Sequence, residues 1–432
     1  MKFHSTRGGA APASLSEAIC AGQASDGGLF LPEAFPENAA GDADDTGNLA
    51  AFATAFLAPF FAGDGLMDAL PAICAEAFDF PVPEVAIADG LASLELFHGP
   101  TGAFKDFGAR FLMACLDRLG DPRAPFTVLA ATSGDTGGAV GCAAEGRSAV
   151  RAVILYPDGR VSPFQAHQLS CWETPVTTLK VDADFDACQK LVKSAFADRD
   201  LTRRHRLTSA NSINIARLLP QAAYLAFAAM RHRANTGRTP GMIIPTGNLG
   251  HGVAALIARA CGAPLGPVIL ATNANAALHD WSQTGQYAPR SSLVTIANAM
   301  DVGAPSNFER LEAGMLDLTG LAVERVEDDA IRARITTDHR TYGYTWCPHS
   351  ACAAEAFARL SQSAREAQPW LIAATAHPYK FAEIVEPAIG ESIAPPAALA
   401  AVLQRPARAL PCKSELEALA SELSRLEEQP VG

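Results

Sequence analysis

The chain has 432 residues, of which 49% are hydrophobic and 19% are charged, and its formal net charge is −12 at pH 7. This composition excludes disorder over most of the chain, and an acidic balance without a basic stripe argues against a nucleic-acid partner. The length predicts two or three domains of about 150 residues each.

The sequence also carries signals of compartment. The first nine residues contain no apolar segment of the kind found in secretory signals. The most apolar span, residues 49–63, is shorter than the roughly 20 residues of a membrane-spanning helix and contains Pro59, so it predicts a buried helix. The 10 cysteines include no Cys-x-x-Cys pair, which is typical of reduced thiols. The sequence therefore predicts a cytoplasmic protein without a membrane partner.

Residues 1–93 predict a mostly helical first unit. The next stretch, residues 94–110, contains a candidate catalytic lysine. Lys105 lies where a glycine-proline turn gives way to a helical pattern, between Phe104 and Phe107. Aromatic neighbours exclude water and the positive end of the helix dipole faces the amine, so both lower the pKa of Lys105. A neutral amine is the form that makes a Schiff base. The alternative is an ordinary lysine that reaches solvent from a helix start.

From Phe126 onward, short apolar strands alternate with helices. The predicted strands cover residues 126–130, 150–155, 176–181, 207–210, 242–244 and 268–271. The predicted helices end near residues 145 and 169 or cover residues 184–196, 213–233 and 249–261, and an amphipathic helix is predicted over residues 413–426. Strands separated by helices of this length need crossover connections, which predict parallel sheets with helices on both faces.

Two strand-to-helix turns are rich in groups that bind anions. The first contains Ser133, Gly134, Asp135 and Thr136, and the second covers residues 246–252 with three glycines. Backbone N–H groups and a helix N-terminus attract phosphate or carboxylate at such turns, while glycine and serine are also common in ordinary ones. The second turn has the spacing Gly-x-x-Gly-x-Gly instead of the dinucleotide pattern Gly-x-Gly-x-x-Gly, so it favours a mononucleotide-like phosphate over a nicotinamide cofactor.

Three further patterns bear on function. Residues 209–217 place polar side chains and Arg217 at a helix start, where the guanidinium either binds an anion or lies on a solvated face. Cys347, His349 and Cys352 suggest a metal site only weakly, because no second ligand pair accompanies them. The sequence has no Gly-x-Ser-x-Gly segment, so it does not support a serine hydrolase.

Taken together and in order, these motifs resemble the threonine synthase family of pyridoxal 5′-phosphate (PLP) enzymes of fold type II, in the branch found in proteobacteria and fungi. The resemblance covers nearly the full length, through residues 25–32, 94–110, 133–137, 211–217, 246–252 and 375–381. Each motif is weak or moderate by itself, whereas the ordered set is specific.

The resemblance implies an α/β fold like that of the tryptophan synthase beta subunit, with two parallel-sheet domains and a mostly helical N-terminal domain. The implied divisions are an N-terminal domain at 1–93, a large PLP-binding domain at 94–125 and 206–405, a small α/β domain at 126–205 and a C-terminal helix at 406–432.

The resemblance also implies a role for each site residue. Lys105 would hold PLP covalently and then move protons, Asp135 would border the cofactor ring, and Thr375 would meet the pyridine nitrogen. The cofactor phosphate would be bound by Gly247, Asn248, Leu249, Gly250 and His251. Relatives often carry Phe and Asn or Asp in place of Leu249 and His251, so His251 would contribute its backbone N–H. The substrate would be bound by Ser133, Gly134, Thr136, Ser212, Asn214, Arg217 and Lys380.

The implied reaction is a β,γ-replacement, the last step of threonine biosynthesis. It converts O-phospho-L-homoserine and water to L-threonine and phosphate, without a metal, a nucleic acid or a membrane, in a monomer or homodimer. One alternative is a related phospho-lyase or dehydratase of the same PLP fold that gives 2-oxobutyrate. Another is a non-catalytic binding protein, which the intact Lys105, glycine turn and Thr375 oppose.

Overall fold

A computed structural model describes residues 1–43, 47–132 and 134–427. Its strands are β1 (Phe3–Ser5), β2 (Phe30–Pro32), β3 (Glu84–Ala88), β4 (Leu91–Glu95), β5 (Phe126–Ala131), β6 (Val150–Pro157), β7 (Val176–Val181), β8 (Leu207–Ser209), β9 (Gly241–Pro245), β10 (Val268–Thr272), β11 (Leu321–Arg325), β12 (Trp370–Ala374) and β13 (Leu410–Cys412). Its α-helices are α1 (Leu15–Ala21), α2 (Ala39–Asp42), α3 (Leu49–Phe61), α4 (Leu70–Ala77), α5 (Lys105–Leu119), α6 (Asp135–Ala144), α7 (Pro163–Ser170), α8 (Phe185–Ala197), α9 (Arg199–Arg204), α10 (Ile215–Thr236), α11 (Gly250–Ala260), α12 (Ala277–Thr284), α13 (Phe308–Glu312), α14 (Asp328–Tyr342), α15 (Pro348–Arg359), α16 (Gln362–Ala367), α17 (Ala382–Ile389), α18 (Ala397–Leu403) and α19 (Leu416–Glu427).

The larger sheet has six strands in the order β11-β10-β9-β12-β4-β3. Its neighbouring strands are parallel except for β3 and β4, which are antiparallel. The strands β9, β10 and β12 are buried along their whole length, as expected for a parallel sheet covered on both faces. Because β9, β12 and β4 are parallel neighbours, the chain leaves all three at the same edge of the sheet.

The smaller sheet has five strands in the order β13-β7-β6-β5-β8, and all four neighbouring pairs are parallel. The chain passes from β5 to α6 and from β8 to α10 at the carboxyl edge of this sheet. Ligands bind at carboxyl edges in parallel α/β sheets, so both turns are candidate binding segments.

The helix predicted over residues 49–63 is confirmed as α3, and its phenylalanines are buried. The ring of Phe52 packs edge-on against Phe227 of α10, with 5.4 Å between centroids. Phe61 packs in the same way against Phe111 of α5, at 6.2 Å. Each buried phenylalanine contributes about 1.5–3 kcal/mol, so α3 anchors the N-terminal unit on the two helices that also carry site residues.

Two chain segments join sheets that the predicted boundaries did not assign to them. Strand β3 and the first half of β4 precede residue 94, yet they form one edge of the larger sheet. Strand β13 lies within residues 406–432 and pairs with β7, in addition to the predicted C-terminal helix, α19. A short strand is stabilised mainly by pairing with a neighbouring strand that is distant in sequence, so its own residues do not indicate which sheet it joins.

Within residues 1–43, 47–132 and 134–427, no helix has the length and apolar character needed to cross a bilayer. All ten cysteines carry free thiols; eight of them are buried, and Cys20 and Cys142 are partly exposed.

Candidate active site

Lys105 is the first residue of α5, at the end of the turn that follows β4. Its Nζ lies 5.6 Å from the centroid of the Phe104 ring, and its side chain remains partly accessible. Burial lowers the pKa of Lys105; the carboxylate of Asp135 opposes this effect, and the cation of Arg217 reinforces it. The amine is therefore biased toward the neutral form that a nucleophile needs.

Asp106 fixes the turn that precedes Lys105. Thr101 donates two hydrogen bonds to its carboxylate, from the backbone N–H at 2.9 Å and from the hydroxyl at 2.6 Å. Gly99 has no room for a side chain, because a Cβ there would lie 2.5 Å from Oδ2 of Asp106. Burial raises the pKa of Asp106 to about 6 against the effect of these hydrogen bonds.

Thr375 follows β12 and lies against the same turn. Its carbonyl oxygen accepts a hydrogen bond from the N–H of Phe104 at 2.9 Å, and its own N–H donates to Oγ of Ser350 at 3.0 Å. One backbone hydrogen bond thus joins the residue predicted to meet the cofactor nitrogen to the neighbour of Lys105.

Residues 247–251 lead from β9 into α11 and form an anion-binding turn. Leu249 has a φ of 63°, in the left-handed region, immediately before the helix begins at Gly250. Within the described part of the chain, none of the N–H groups of residues 247–251 donates to a protein acceptor. Free N–H groups at a helix N-terminus suit a phosphate, and strained backbone of this kind is typical of binding sites.

The side chain of His251 supports Phe104. The two rings stack with 4.7 Å between centroids, and Nε2 of His251 lies 3.0 Å from the hydroxyl of Tyr224. Burial lowers the pKa of His251 to about 3, and the charge of Lys105 lowers it further, so the imidazole is neutral at pH 7. The neutral ring offers no charge to a phosphate, and the contribution of the His251 backbone N–H stays a prediction.

Asp135 and Lys380 form a buried ion pair at the start of α6. Nζ of Lys380 lies 3.0 Å from Oδ1 of Asp135, and it also donates to the carbonyl of Thr101 at 2.7 Å and to Oε1 of Gln168 at 2.6 Å. Burial favours the neutral carboxyl, yet Lys380 and Lys105 hold the pKa of Asp135 below its usual value. Lys380 thus has two hydrogen-bond acceptors and one ion-pair partner among the described residues, which suits a positioning role, and its substrate contact stays a prediction.

Ser212 lies against the turn of residues 247–251. Its Oγ accepts hydrogen bonds from Nδ2 of Asn248 at 2.6 Å and from Nδ2 of Asn307 at 3.3 Å. Gly250 permits this approach, because a Cβ there would lie 3.2 Å from the Cβ of Ser212. A predicted substrate residue and a predicted cofactor residue are therefore in direct contact.

Arg217 is 2% exposed and lies beneath α5, where a Cβ on Gly108 would come within 2.8 Å of its Nε. Nη1 donates to the carbonyl of Ala210, whereas Nε has no hydrogen-bond partner among the described residues. Burial lowers the pKa of Arg217 to about 10, so it stays charged at pH 7. A buried guanidinium with an unpaired donor is suited to an anionic ligand.

Asn214, which the resemblance assigns to the substrate, lies at the N-terminus of α10. Its Oδ1 caps α10 by accepting the N–H of Ala216 at 3.0 Å, and its Nδ2 donates to the carbonyls of Ile19 at 3.0 Å and Ser209 at 3.2 Å. These contacts use the polar atoms of Asn214 to tie α10 to the N-terminal unit, so the geometry favours a structural role over a substrate contact.

Gly134 and Thr136, two of the residues that the resemblance assigns to the substrate, lie at the start of α6. Gly134 precedes the helix, and the backbone N–H groups of Asp135 and Thr136 have no acceptor among the described residues. Ser133 lies outside the described residues. The N-termini of α6 and α11 both lie near Lys105, because the charge of Lys105 lowers the pKa of Asp135 and the pKa of His251.

His349, which the sequence suggests weakly as a metal ligand, lies near Asp135 and Lys105. Its Nε2 accepts the N–H of Ala299 at 3.1 Å, so the proton of the neutral ring is on Nδ1, which has no partner among the described residues. Burial lowers the pKa of His349 to about 4, and the charges of Asp135 and Lys105 act on it. Only its place after Cys347 and Pro348, at a helix start, could have signalled it.

Residues 1–43, 47–132 and 134–427 contain no group of three His, Cys, Asp or Glu side chains arranged to hold a metal ion. Cys352 instead donates to the carbonyl of Thr272 at 3.2 Å, and Cys347 lies 3.2 Å from the hydroxyl of Ser350.

The residues present fit PLP. Lys105 offers an amine of lowered pKa, the turn of residues 247–251 offers free N–H groups to a phosphate, and Arg217 has an unpaired buried donor. Thr375 adds a neutral hydroxyl next to the lysine turn, which is suited to an unprotonated ring nitrogen.

Three family models match this chain. Residues 88–375 match the family described as pyridoxal-phosphate dependent enzyme. Residues 2–78 match the threonine synthase N terminus, and residues 350–422 match the threonine synthase C-terminal family.

Similar proteins include a threonine synthase of Serratia marcescens, which is 38% identical over 93% of this chain and 94% of its own length. The crystal structure of threonine synthase from Escherichia coli has a TM-score of 0.89 and 35% identity, and covers 98% of this chain and 100% of its own. The PLP-bound threonine synthase from Brucella melitensis has a TM-score of 0.91 and 32% identity, and covers 99% of this chain and 100% of its own.

Proposed function

This chain belongs to the PLP-dependent threonine synthase family, and from that membership we propose that it converts O-phospho-L-homoserine and water to L-threonine and phosphate. The observation that carries the substrate assignment is the pair of anion-binding groups near Lys105. One is the turn of residues 247–251, and the other is the buried Arg217 with its unpaired Nε. Two phosphate-binding places suit a phosphorylated cofactor together with a phosphorylated substrate.

In this proposal Lys105 holds the cofactor, residues 247–251 bind its phosphate and Thr375 meets its ring nitrogen. When bound, PLP supplies an electron sink for negative charge that develops on the substrate. Asp135, neutralised by Lys380, borders the ring, and the free N–H groups at the start of α6 receive the substrate carboxylate.

Lys105 also moves the protons. With the substrate bound, the lysine would remove the protons from the α and β carbons, and after phosphate has left it would return one at the γ carbon and one at the α carbon. Its lowered pKa supports this role, because a general base must be neutral before it accepts a proton. Over the whole reaction the β carbon loses a proton and gains the hydroxyl of water, while the C–O bond to phosphate breaks at the γ carbon and that carbon gains a proton, so the net reaction balances.

The alternative that yields 2-oxobutyrate would share the residues around Lys105. The synthase is the better supported of the two, because the matched N- and C-terminal families and the similar proteins carry its name. We further propose a cytoplasmic enzyme that acts as a monomer or homodimer, and the free thiols support a reducing compartment.

Replacing Arg217 with alanine tests the substrate-phosphate assignment. We expect KM for O-phospho-L-homoserine to rise about 10- to 100-fold, because a charged hydrogen bond to the phosphoryl group is lost, while the PLP content stays unchanged. Arg259→Ala is the matched control, because Arg259 donates to backbone carbonyls, including that of Thr319 at 2.9 Å, outside the site. Loss of PLP with an unchanged KM would instead place Arg217 at the cofactor.

A further inference from the structure

Arg310 is a buried cation that neither the sequence motifs nor the proposed mechanism uses. It belongs to α13 and is 0% exposed. Nε and Nη2 donate to the carbonyl of Phe30 at 3.2 and 3.1 Å, Nη2 donates to the carbonyl of Ile213 at 2.6 Å, and Nη1 donates to Oδ1 of Asn307. Arg310 thus joins three parts of the chain. It contacts the N-terminal unit through Phe30, the segment of Ser212 through Ile213, and Asn307, which itself contacts Ser212.

Arg310 has no ion-pair partner within the described part of the chain. The adjacent carboxylate of Glu309 is bound by Nε of Arg7 at 2.9 Å and by the hydroxyl of Thr6 at 2.6 Å. Burial lowers the pKa of Arg310 to about 9, so the side chain is still charged at pH 7. Burying an unpaired charge is costly, which points to an anion that the protein does not itself supply.

The hydrogen bonds beyond Arg310 have a fixed direction. A guanidinium only donates, so Asn307 must turn its oxygen toward Arg310 and its Nδ2 the other way. That Nδ2 donates to the carbonyl of Asn248 at 2.9 Å and to Oγ of Ser212 at 3.3 Å. Nδ2 of Asn248 donates to the same Oγ at 2.6 Å, because Oδ1 of Asn248 accepts the N–H of Ser306.

Ser212 is the last residue of the hydrogen-bonded series Arg310, Asn307 and Ser212, which is called the relay below. A hydroxyl accepts two hydrogen bonds and donates one, and both acceptor positions are taken by Asn248 and Asn307. Its own hydrogen has no acceptor among the described residues, and the side chain is only half-buried. Ser212 is therefore left as a donor, which suits an anionic oxygen and disfavours a ligand that must itself donate.

We propose that Arg310 is a positioning residue that, through Asn307, sets Ser212 as a hydrogen-bond donor to the phosphoryl group of the substrate and adds a fixed positive charge behind it. This proposal rests on the proposed function, because it takes the substrate to be phosphorylated. Arg310 itself touches neither the substrate nor the cofactor.

The cleanest test is Asn307→Asp in the PLP-loaded enzyme. Arg310→Met would leave core carbonyls unpaired, so impaired folding would confound it, whereas a carboxylate at position 307 pairs with Arg310 and keeps that contact. The carboxylate cannot donate, so the hydroxyl of Ser212 turns inward and the charge of Arg310 is cancelled. Asn48→Asp is the matched control, since Asn48 caps α3 by accepting the N–H of Ala51 and aspartate caps equally well.

We expect Asn307→Asp to raise KM for O-phospho-L-homoserine about 10- to 100-fold, with kcat within about threefold and the PLP content unchanged. The affinity of the same protein for inorganic phosphate, measured by calorimetry, should fall by a similar factor, and Asn307→Ala should show a smaller loss in both measurements. A merely structural role would lower the amount of folded enzyme without this split between KM and kcat.

Two results would overturn the proposal. One is equality of Asn307→Asp and Asn48→Asp in both KM and phosphate affinity. The other is loss of PLP from Asn307→Asp with an unchanged KM, which would show that Ser212 donates to the cofactor phosphate and not to the substrate. The calorimetric comparison also separates this proposal from the proposed function. If the wild-type enzyme formed no threonine but still bound phosphate more tightly than Asn307→Asp, the relay would stand and the substrate assignment would fail.

Discussion

Replacing Lys105 with alanine is expected to abolish threonine formation, with a loss in kcat of at least about 10⁴-fold, while the protein stays folded. Lys105 is both the cofactor attachment and the base in this account, and burial lowers its pKa toward the neutral amine that both roles require. Its substitution leaves the turn before it intact, because that turn is held by Thr101 and Asp106.

The measurement is steady-state phosphate and threonine release, combined with borohydride reduction and mass spectrometry to locate the covalently bound PLP. The control is Lys190→Ala on α8, where the side chain is exposed. This variant should retain full activity and carry the reduced PLP on Lys105. An active Lys105→Ala variant, or a label on another lysine, would contradict the assignment.

Replacing Lys380 with methionine is expected to destabilise the enzyme by about 3–5 kcal/mol, because it leaves the buried carboxylate of Asp135 without its close partner. The cation of Lys380 also lowers the pKa of Lys105, so its removal should raise that pKa. The pH at which the apoenzyme is reconstituted with PLP should then shift upward. Urea-induced unfolding and the pH profile of reconstitution measure the two effects.

The double variant Asp135→Asn with Lys380→Met separates charge balance from packing. Both members of the ion pair are then neutral, so most of the lost stability should return and the pH profile should move back toward that of the wild type. If the double variant were no more stable than Lys380→Met alone, the role of Lys380 would lie in its packing and its hydrogen bonds to Thr101 and Gln168.

The family, the fold class and the cofactor were predictable from the sequence, and the comparisons confirm them. Their signals are local. The glycines of residues 246–252 and the lysine turn of residues 94–110 are short segments in which residue type determines backbone shape. The strand predicted at residues 268–271 was likewise visible as a continuous apolar run, because buried parallel strands are apolar on both faces.

The partners of individual polar side chains were not predictable. Lys380 and Asn214 look like ligands in the sequence, but tertiary contacts satisfy both with protein acceptors. Conversely, Arg310 lies in a short helix without any motif, and its position behind Ser212 depends on carbonyls of Phe30 and Ile213 from distant parts of the chain. Hydrogen-bond satisfaction is a property of the folded site, so no local pattern could report it.

The decisive test of the proposed reaction is a product assay on the purified PLP-loaded protein with O-phospho-L-homoserine, in which phosphate, threonine and 2-oxobutyrate are measured together. We expect phosphate and threonine in equal amounts, without 2-oxobutyrate. Phosphate accompanied by 2-oxobutyrate instead of threonine would agree with the assigned cofactor site but contradict the synthase activity. An absence of phosphate release would contradict the assignment of O-phospho-L-homoserine as the substrate.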